Sequence, residues 1–190
     1  IFSCDTCGPF PNKFKIVGLD WANYEAIYSD TAQVRLRLTD IVNDTVDFDT
    51  YAVQIKPKQE TYFALNSHRS GFSLITSAYA CDPALPQTDE KIDSIAITSA
   101  KDFDTAHPAG SDLSDLFDVI VLDYASNIYF EKYALSDYLK TNPFVPNELV
   151  LILTEQPDST TDFEFLVKYY QDGIDYDYFE FLTNKIVIRR

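Results

Sequence analysis

The stretch Phe163-Glu164-Phe165-Leu166-Val167-Lys168-Tyr169-Tyr170-Gln171-Asp172-Gly173-Ile174-Asp175-Tyr176-Asp177-Tyr178-Phe179-Glu180-Phe181-Leu182 decides the fold class. Two aromatic and aliphatic runs, 163–170 and 174–182, flank Asp172-Gly173. Asp-Gly supplies the positive φ angles of a type I′ turn, so the stretch reads as a two-residue β-hairpin. That turn sets Gln171 opposite Ile174. Lys168 then faces Asp177, Tyr169 faces Tyr176, Val167 faces Tyr178 and Phe163 faces Leu182. Glu180 falls opposite Phe165 and interrupts an otherwise apolar face.

Strand-like segments continue outward from this hairpin. Toward the end of the chain, Ile186–Ile188 is a last strand. Upstream, the apolar runs 149–153 and 119–122 read as buried strands, and Ile92, Ile95 and Ile97 mark another. Gln33–Thr39 alternates, with Val34, Leu36 and Leu38 on one side and Arg35 and Arg37 on the other. Lys13–Asp20, Val46–Ile55 (with a bend), Thr61–Leu65 and Phe72–Tyr79 complete the set. Two short helices are expected. One covers 111–117 with Ser111 or Asp112 as its N-cap, and the other covers Ala134–Lys140 with Ser136 near its cap. Cys81–Glu90, with Pro83 and Pro86, reads as a loop. About ten strands with two short helices indicate an antiparallel, immunoglobulin-like β-sandwich. Residues 1–12, broken by Gly8, Pro9 and Pro11, form an arm, and 13–190 a single domain.

Composition fits that class. The chain has 190 residues, 46 % hydrophobic, with 14 Phe, 13 Tyr and one Trp. Tyr, Phe, Val, Ile and Thr favour a pleated, half-buried surface. Thirty acidic residues against fifteen basic ones give a net charge of −15. A binder of phosphates needs clustered Lys and Arg, so nucleic acid is excluded as a partner. The charge is uneven: residues 1–85 hold seven basic and ten acidic residues, and 86–190 hold eight and twenty. No apolar run approaches the roughly 20 residues of a membrane-spanning helix.

Three cysteines, Cys4, Cys7 and Cys81, leave at least one thiol outside an internal bridge. Cys4-Asp5-Thr6-Cys7 lacks the strand-to-helix context of a redox motif, since Pro9 and Pro11 follow at once. A zinc site adding Cys81 and His68 lacks a second close ligand pair. A structural bridge from Cys4 or Cys7 to Cys81 is preferred. The absence of an initiator Met at Ile1 suggests a processed, exported product.

No nucleophile elbow, phosphate-cradling loop or third histidine supports catalysis. His68 and His107 both read as solvated loop histidines, and no catalytic residue is assigned. Asp102, Asp104, Asp112 and Asp115 crowd one loop and are candidate calcium ligands, although their spacing matches no EF-hand. Tyr124, Tyr129 and Tyr133 are candidate ligand contacts in a stretch expected to expose an aromatic patch.

Tyr79-Ala80-Cys81-Asp82-Pro83, Glu90–Ser99, Asp102-Phe103 and His107-Pro108-Ala109-Gly110 resemble segments of uncharacterised cell-envelope lipoproteins of Bacteroidetes-type bacteria. Leu153-Thr154-Glu155-Gln156-Pro157 before an Asp-Gly hairpin is similar too. The resemblance implies export to the outer membrane, cell surface or periplasm. It also implies a lipid anchor upstream of Ile1 and no established activity. The functional expectation is a non-enzymatic binding or scaffold module for a protein or glycan. The alternatives are an accessory to carbohydrate-active or other hydrolases, and a calcium-stabilised adhesion module.

Overall fold

A computed structural model describes residues 12–29, 35–63, 86–122 and 131–190. The chain is mostly β. Strands β1 (Lys13–Ser29), β2 (Arg35–Thr39), β3 (Thr45–Asp47), β4 (Tyr51–Tyr62), β5 (Lys91–Ser99) and β6 (Phe117–Leu122) come first. They are followed by β7 (Glu131–Ala134), β8 (Glu148–Leu153), β9 (Thr161–Phe163), β10 (Phe165–Asp172), β11 (Tyr178–Leu182) and β12 (Ile186–Arg189). The strands form one six-stranded sheet, β2-β1-β4-β8-β6-β7, and two three-stranded sheets, β11-β10-β5 and β3-β12-β9.

The layers meet over aromatic rings. Phe165 of β10 lies 5.6 Å from Tyr51 of β4 and 5.7 Å, edge-on, from Phe117 of β6. Phe163 of β9 stacks on Phe165 at 5.7 Å, and Trp21 of β1 stacks on Phe181 of β11 at 5.2 Å. The largest buried cluster joins Phe14, Val46 and Tyr51 to Ile97, Leu151 and Ile188, so segments from both ends of the chain feed one core. The arrangement is β-sandwich-like. Six strands in one sheet and a parallel β3–β12 pair set it apart from the seven-stranded immunoglobulin order.

The six-stranded sheet is apolar on both faces. Val53, Leu149 and Leu151 face the aromatic core. Ala52, Ile120, Val150 and Ile152 form a second buried cluster on the other side, with Leu36 and Leu38 against it. This explains why the run 149–153 shows no alternation. In a flat sheet β1 and β7 would stand four spacings apart, roughly 19 Å. Yet Lys132 of β7 donates to the Tyr28 hydroxyl of β1 at 2.9 Å and to Asp118 at 2.8 Å. The sheet therefore curls around its second cluster, where small residues such as Ala26 and Ala52 take up little space.

Several expectations need correction. The strand begun at Lys13 runs to Ser29, with a bulge between Ile16 and Gly18, so Asp20 is mid-strand. The bend in 46–55 separates strands of different sheets, with a 3₁₀ turn at Phe48–Thr50 between them. Thr61 closes β4 and starts no new strand. The helix expected at 111–117 is only a 3₁₀ turn, Ser114–Leu116. The chain there is held against the edge of β5 by Leu113 N–H on Ile97 O (2.7 Å) and Gly110 N–H on Ser99 O (2.7 Å). The second helix, α1 (Leu135–Lys140), is present, but Ala134 precedes it and Ser136 sits inside its first turn. Phe72–Tyr79 and the arm through residue 11 lie outside the described residues. No helix among the described residues is long and apolar enough to cross a membrane.

Candidate binding face

The β10–β11 hairpin exists, but not in the register a two-residue turn dictates. Leu166 pairs with Leu182, Val167 with Phe181, Lys168 with Glu180, Tyr169 with Phe179 and Tyr170 with Tyr178. Every pair is three residues away from the expected one. An odd shift turns the second strand over. Phe179 and Phe181 therefore point to the core, and Glu180 moves to the outer face opposite Lys168. The expected register would have buried that carboxylate beside Phe165, at a cost of several kcal/mol for an unpaired charge.

The longer loop has its own ties. Ile174 N–H donates to Glu90 Oε1 at 2.7 Å, Gln171 Nε2 to Tyr176 O at 2.9 Å, and Lys15 Nζ to Asp175 Oδ2 at 2.5 Å. Gly173 is not left-handed; of the described glycines only Gly110, at φ +80°, is. Gly173 is needed for closeness, because a Cβ there would stand 2.0 Å from Tyr176 O.

Glu90 anchors this loop from beneath. It is 1 % exposed, and its other carboxylate oxygen accepts Ile16 N–H of β1 at 2.7 Å. Burial, with Tyr138 and Glu90 nearby, pushes the Tyr169 hydroxyl strongly up.

Above this base Tyr170, Tyr178 and Leu182 lie on the outer face of the hairpin, while Ile174 and Tyr176 are exposed in its loop, the Tyr176 ring packed on Phe179 at 5.8 Å. Tyr170, Ile174, Tyr176, Tyr178 and Leu182 are each 38–52 % exposed. Tyr170 and Tyr178 lie 4.8 Å apart, ring to ring. Tyr178 donates its hydroxyl proton to Glu180, which pushes the phenol up to about 12. Exposed contiguous apolar surface of this kind marks interaction sites.

The other predicted site residues fall elsewhere. Tyr133, 38 % exposed on β7, stacks on Tyr138 at 6.1 Å. Tyr124 and Tyr129, the cysteines Cys4, Cys7 and Cys81, and His68 lie outside the described residues.

The four calcium candidates do not converge. Asp102 accepts Ala109 N–H at 2.7 Å. Asp112 accepts the Ser114 N–H at 3.0 Å and its hydroxyl at 2.5 Å. Asp104 takes Ala106 N–H, His107 N–H and His107 Nδ1. Asp115 faces His107 Nε2 at 3.4 Å. No group of three or more His, Cys, Asp or Glu side chains among the described residues could hold a metal ion.

His107 is a clasp rather than a freely solvated loop residue. Its side chain is 18 % exposed and both ring nitrogens face carboxylates. Hydrogen bonding to Asp104 raises the imidazole pKa, and the same contact lowers that of Asp104.

Sequence reasoning missed the exposed hairpin residues because it placed Tyr176, Tyr178 and Leu182 on the buried side. Glu180 was the available signal, since a carboxylate on a supposed core face argues against that register. Compared with known proteins, the chain matches no family model, no curated sequence and no solved structure.

Proposed function

We propose that the protein is a non-enzymatic binding module and that it works through the outer face of β10 and β11. The observation carrying this reading is the exposed set Tyr170, Ile174, Tyr176, Tyr178 and Leu182 on a hairpin fixed from below by Glu90. Tyrosines combine a wide apolar ring with a hydroxyl, so they contact proteins or sugars while staying compatible with water. A firmly held hairpin loses little freedom on binding. An extracytoplasmic location belongs to the same proposal and rests on the resemblance to envelope lipoproteins.

The test is a titration of ¹⁵N-labelled protein with panels of peptides and oligosaccharides, followed by amide chemical shifts. Responses are expected at Tyr170, 174–178 and Leu182, and a Tyr176→Ser/Tyr178→Ser double variant should weaken binding about tenfold or more. Binding that perturbs only other regions, or that the double variant leaves unchanged, refutes the reading.

A further inference from the structure

We propose that β11 takes up an extended, cationic peptide segment of a partner protein as an added strand. The inference rests on the binding-face reading above and names the partner's chemistry.

Sheet edges present unpaired N–H and C=O groups, and proteins guard them with charge, shortness or a covering segment. Six strands lie at edges among the described residues. β3 and β9 have three residues each, and Asp162 of β9 is clamped by Lys101 and Lys185, both at 2.6 Å. β2 presents the exposed Arg37, and β7 has four residues, carries Lys132 and runs straight into α1. The edge of β5 is covered by Gly110 and Leu113 and by Pro143, whose carbonyl accepts Ile92 N–H at 2.9 Å. β11 is the least guarded, with Glu180 as its one charge. It is five residues long, holds neither Lys nor Pro, and among the described residues has no partner on its outer side.

The free groups can be assigned. Gln171 N–H bonds Asp177 O at 3.0 Å, and Thr183 N–H bonds Phe165 O at 2.9 Å. Hydrogen-bonded pairs alternate along an antiparallel ladder. Asp177, Phe179, Phe181 and Thr183 therefore bond toward β10, and the backbones of Tyr178, Glu180 and Leu182 point to the open edge. Their side chains are the exposed ones. Backbone pairing and side-chain recognition are thus offered by the same three residues, as in strand addition.

Charge decides between occupants. Residues 170–182 contain Asp172, Asp175, Asp177 and Glu180 and no Lys or Arg. Lys15 engages Asp175, while Lys91 and Lys168 stand across the ladders from Asp172 and Glu180 without closing an ion pair, and Asp177 has no basic residue opposite it. A second copy would bring another −15 chain against this strip. A segment alternating basic and apolar residues complements both the carboxylates and the Tyr–Leu row.

The test uses the intact ¹⁵N-labelled chain at low salt. The probe is a synthetic peptide of about eight residues alternating Lys with Val and Tyr. It is compared with the same peptide carrying Glu for Lys, and with the Lys peptide N-methylated at alternate residues. The Lys peptide should shift the amides of Tyr178, Glu180 and Leu182, and both altered peptides should bind at least about tenfold more weakly. Glu180→Pro removes an outward donor without touching the β10 ladder and should abolish binding. The N-methylated peptide asks the same question of the unaltered protein. Equal binding of the Lys and N-methylated peptides, or no response at these amides, overturns the proposal. So does self-association that Glu180→Pro abolishes, which would give the edge to a second copy. An oligosaccharide that shifts the Tyr170–Tyr178 face while the peptide does nothing overturns strand addition but leaves the binding face standing. Responses confined to other regions remove both.

Discussion

Replacing Glu90 tests how the hairpin is held. Its two carboxylate oxygens accept Ile16 N–H and Ile174 N–H, each at 2.7 Å. Glu90→Ala leaves both donors without an acceptor. The buried Ile16 amide, once orphaned, costs about 1–3 kcal/mol, and the part-buried Ile174 amide costs less because water reaches it. The substitution also removes the cost of burying a carboxylate, which offsets part of the loss. A net destabilisation of about 1–3 kcal/mol is expected, a large fraction of a domain's total. Glu90→Gln keeps one acceptor oxygen and sets an NH₂ against the other amide, so about half that loss is expected. Urea unfolding with an unchanged m-value measures the effect, and hydrogen exchange at the two amides localises it. A loss below about 1 kcal/mol for Glu90→Ala, or unaltered protection at Ile174, would refute the argument that this carboxylate fastens the loop.

Gly173→Ala should destabilise by about 1–3 kcal/mol through the 2.0 Å clash with Tyr176 O, whereas Gly110→Ala, at φ +80° with nothing within 4 Å, should cost about 1–2 kcal/mol from backbone strain alone. Thermal midpoints of the two variants measure these costs, and a Gly173→Ala midpoint equal to that of the wild type would refute the close approach. The raised His107 pKa makes the clasp fully stabilising below the ordinary histidine value, and that contribution fades as pH rises through the raised value. The lowered Asp104 pKa makes its contribution present above the ordinary aspartate value and lost as pH falls through the lowered one. The stability difference between wild type and His107→Ala should therefore be largest in mildly acidic solution and shrink on both sides; a flat difference from acid to alkaline pH contradicts it. EDTA should leave the thermal midpoint unchanged, because no three of Asp102, Asp104, Asp112 and Asp115 come together as a ligand group; a midpoint lowered by EDTA and restored by Ca²⁺ would restore the calcium reading.

Period and run length revealed most strands. The alternation of Leu36, Arg37 and Leu38 and the unbroken runs 119–122 and 149–153 are local properties, and each became a strand. Register was not local. Asp172-Gly173 carries a strong preference for a tight turn, but Glu90, far away in sequence, captures the amide of Ile174 and favours the longer loop. The same contest hid the candidate site, since the face shown by Tyr176 and Tyr178 depends on that register. The aspartates of the calcium expectation show a related ambiguity. Closely spaced aspartates are as useful for stapling turns as for binding cations, and only the positions of nearby backbone amides separate the two uses.

One consequence concerns biosynthesis. β12 lies between β9 and β3 and pairs in parallel with the latter, Val187 beside Thr45 and Ile188 beside Val46. Residues made early must wait for residues 186–189 to leave the ribosome before that sheet can close. That sheet therefore closes late in synthesis, and such distant pairing is slow. Until then Val46 and Phe163 offer sticky surface to other nascent chains, so this polypeptide should depend on holding chaperones while it is being made.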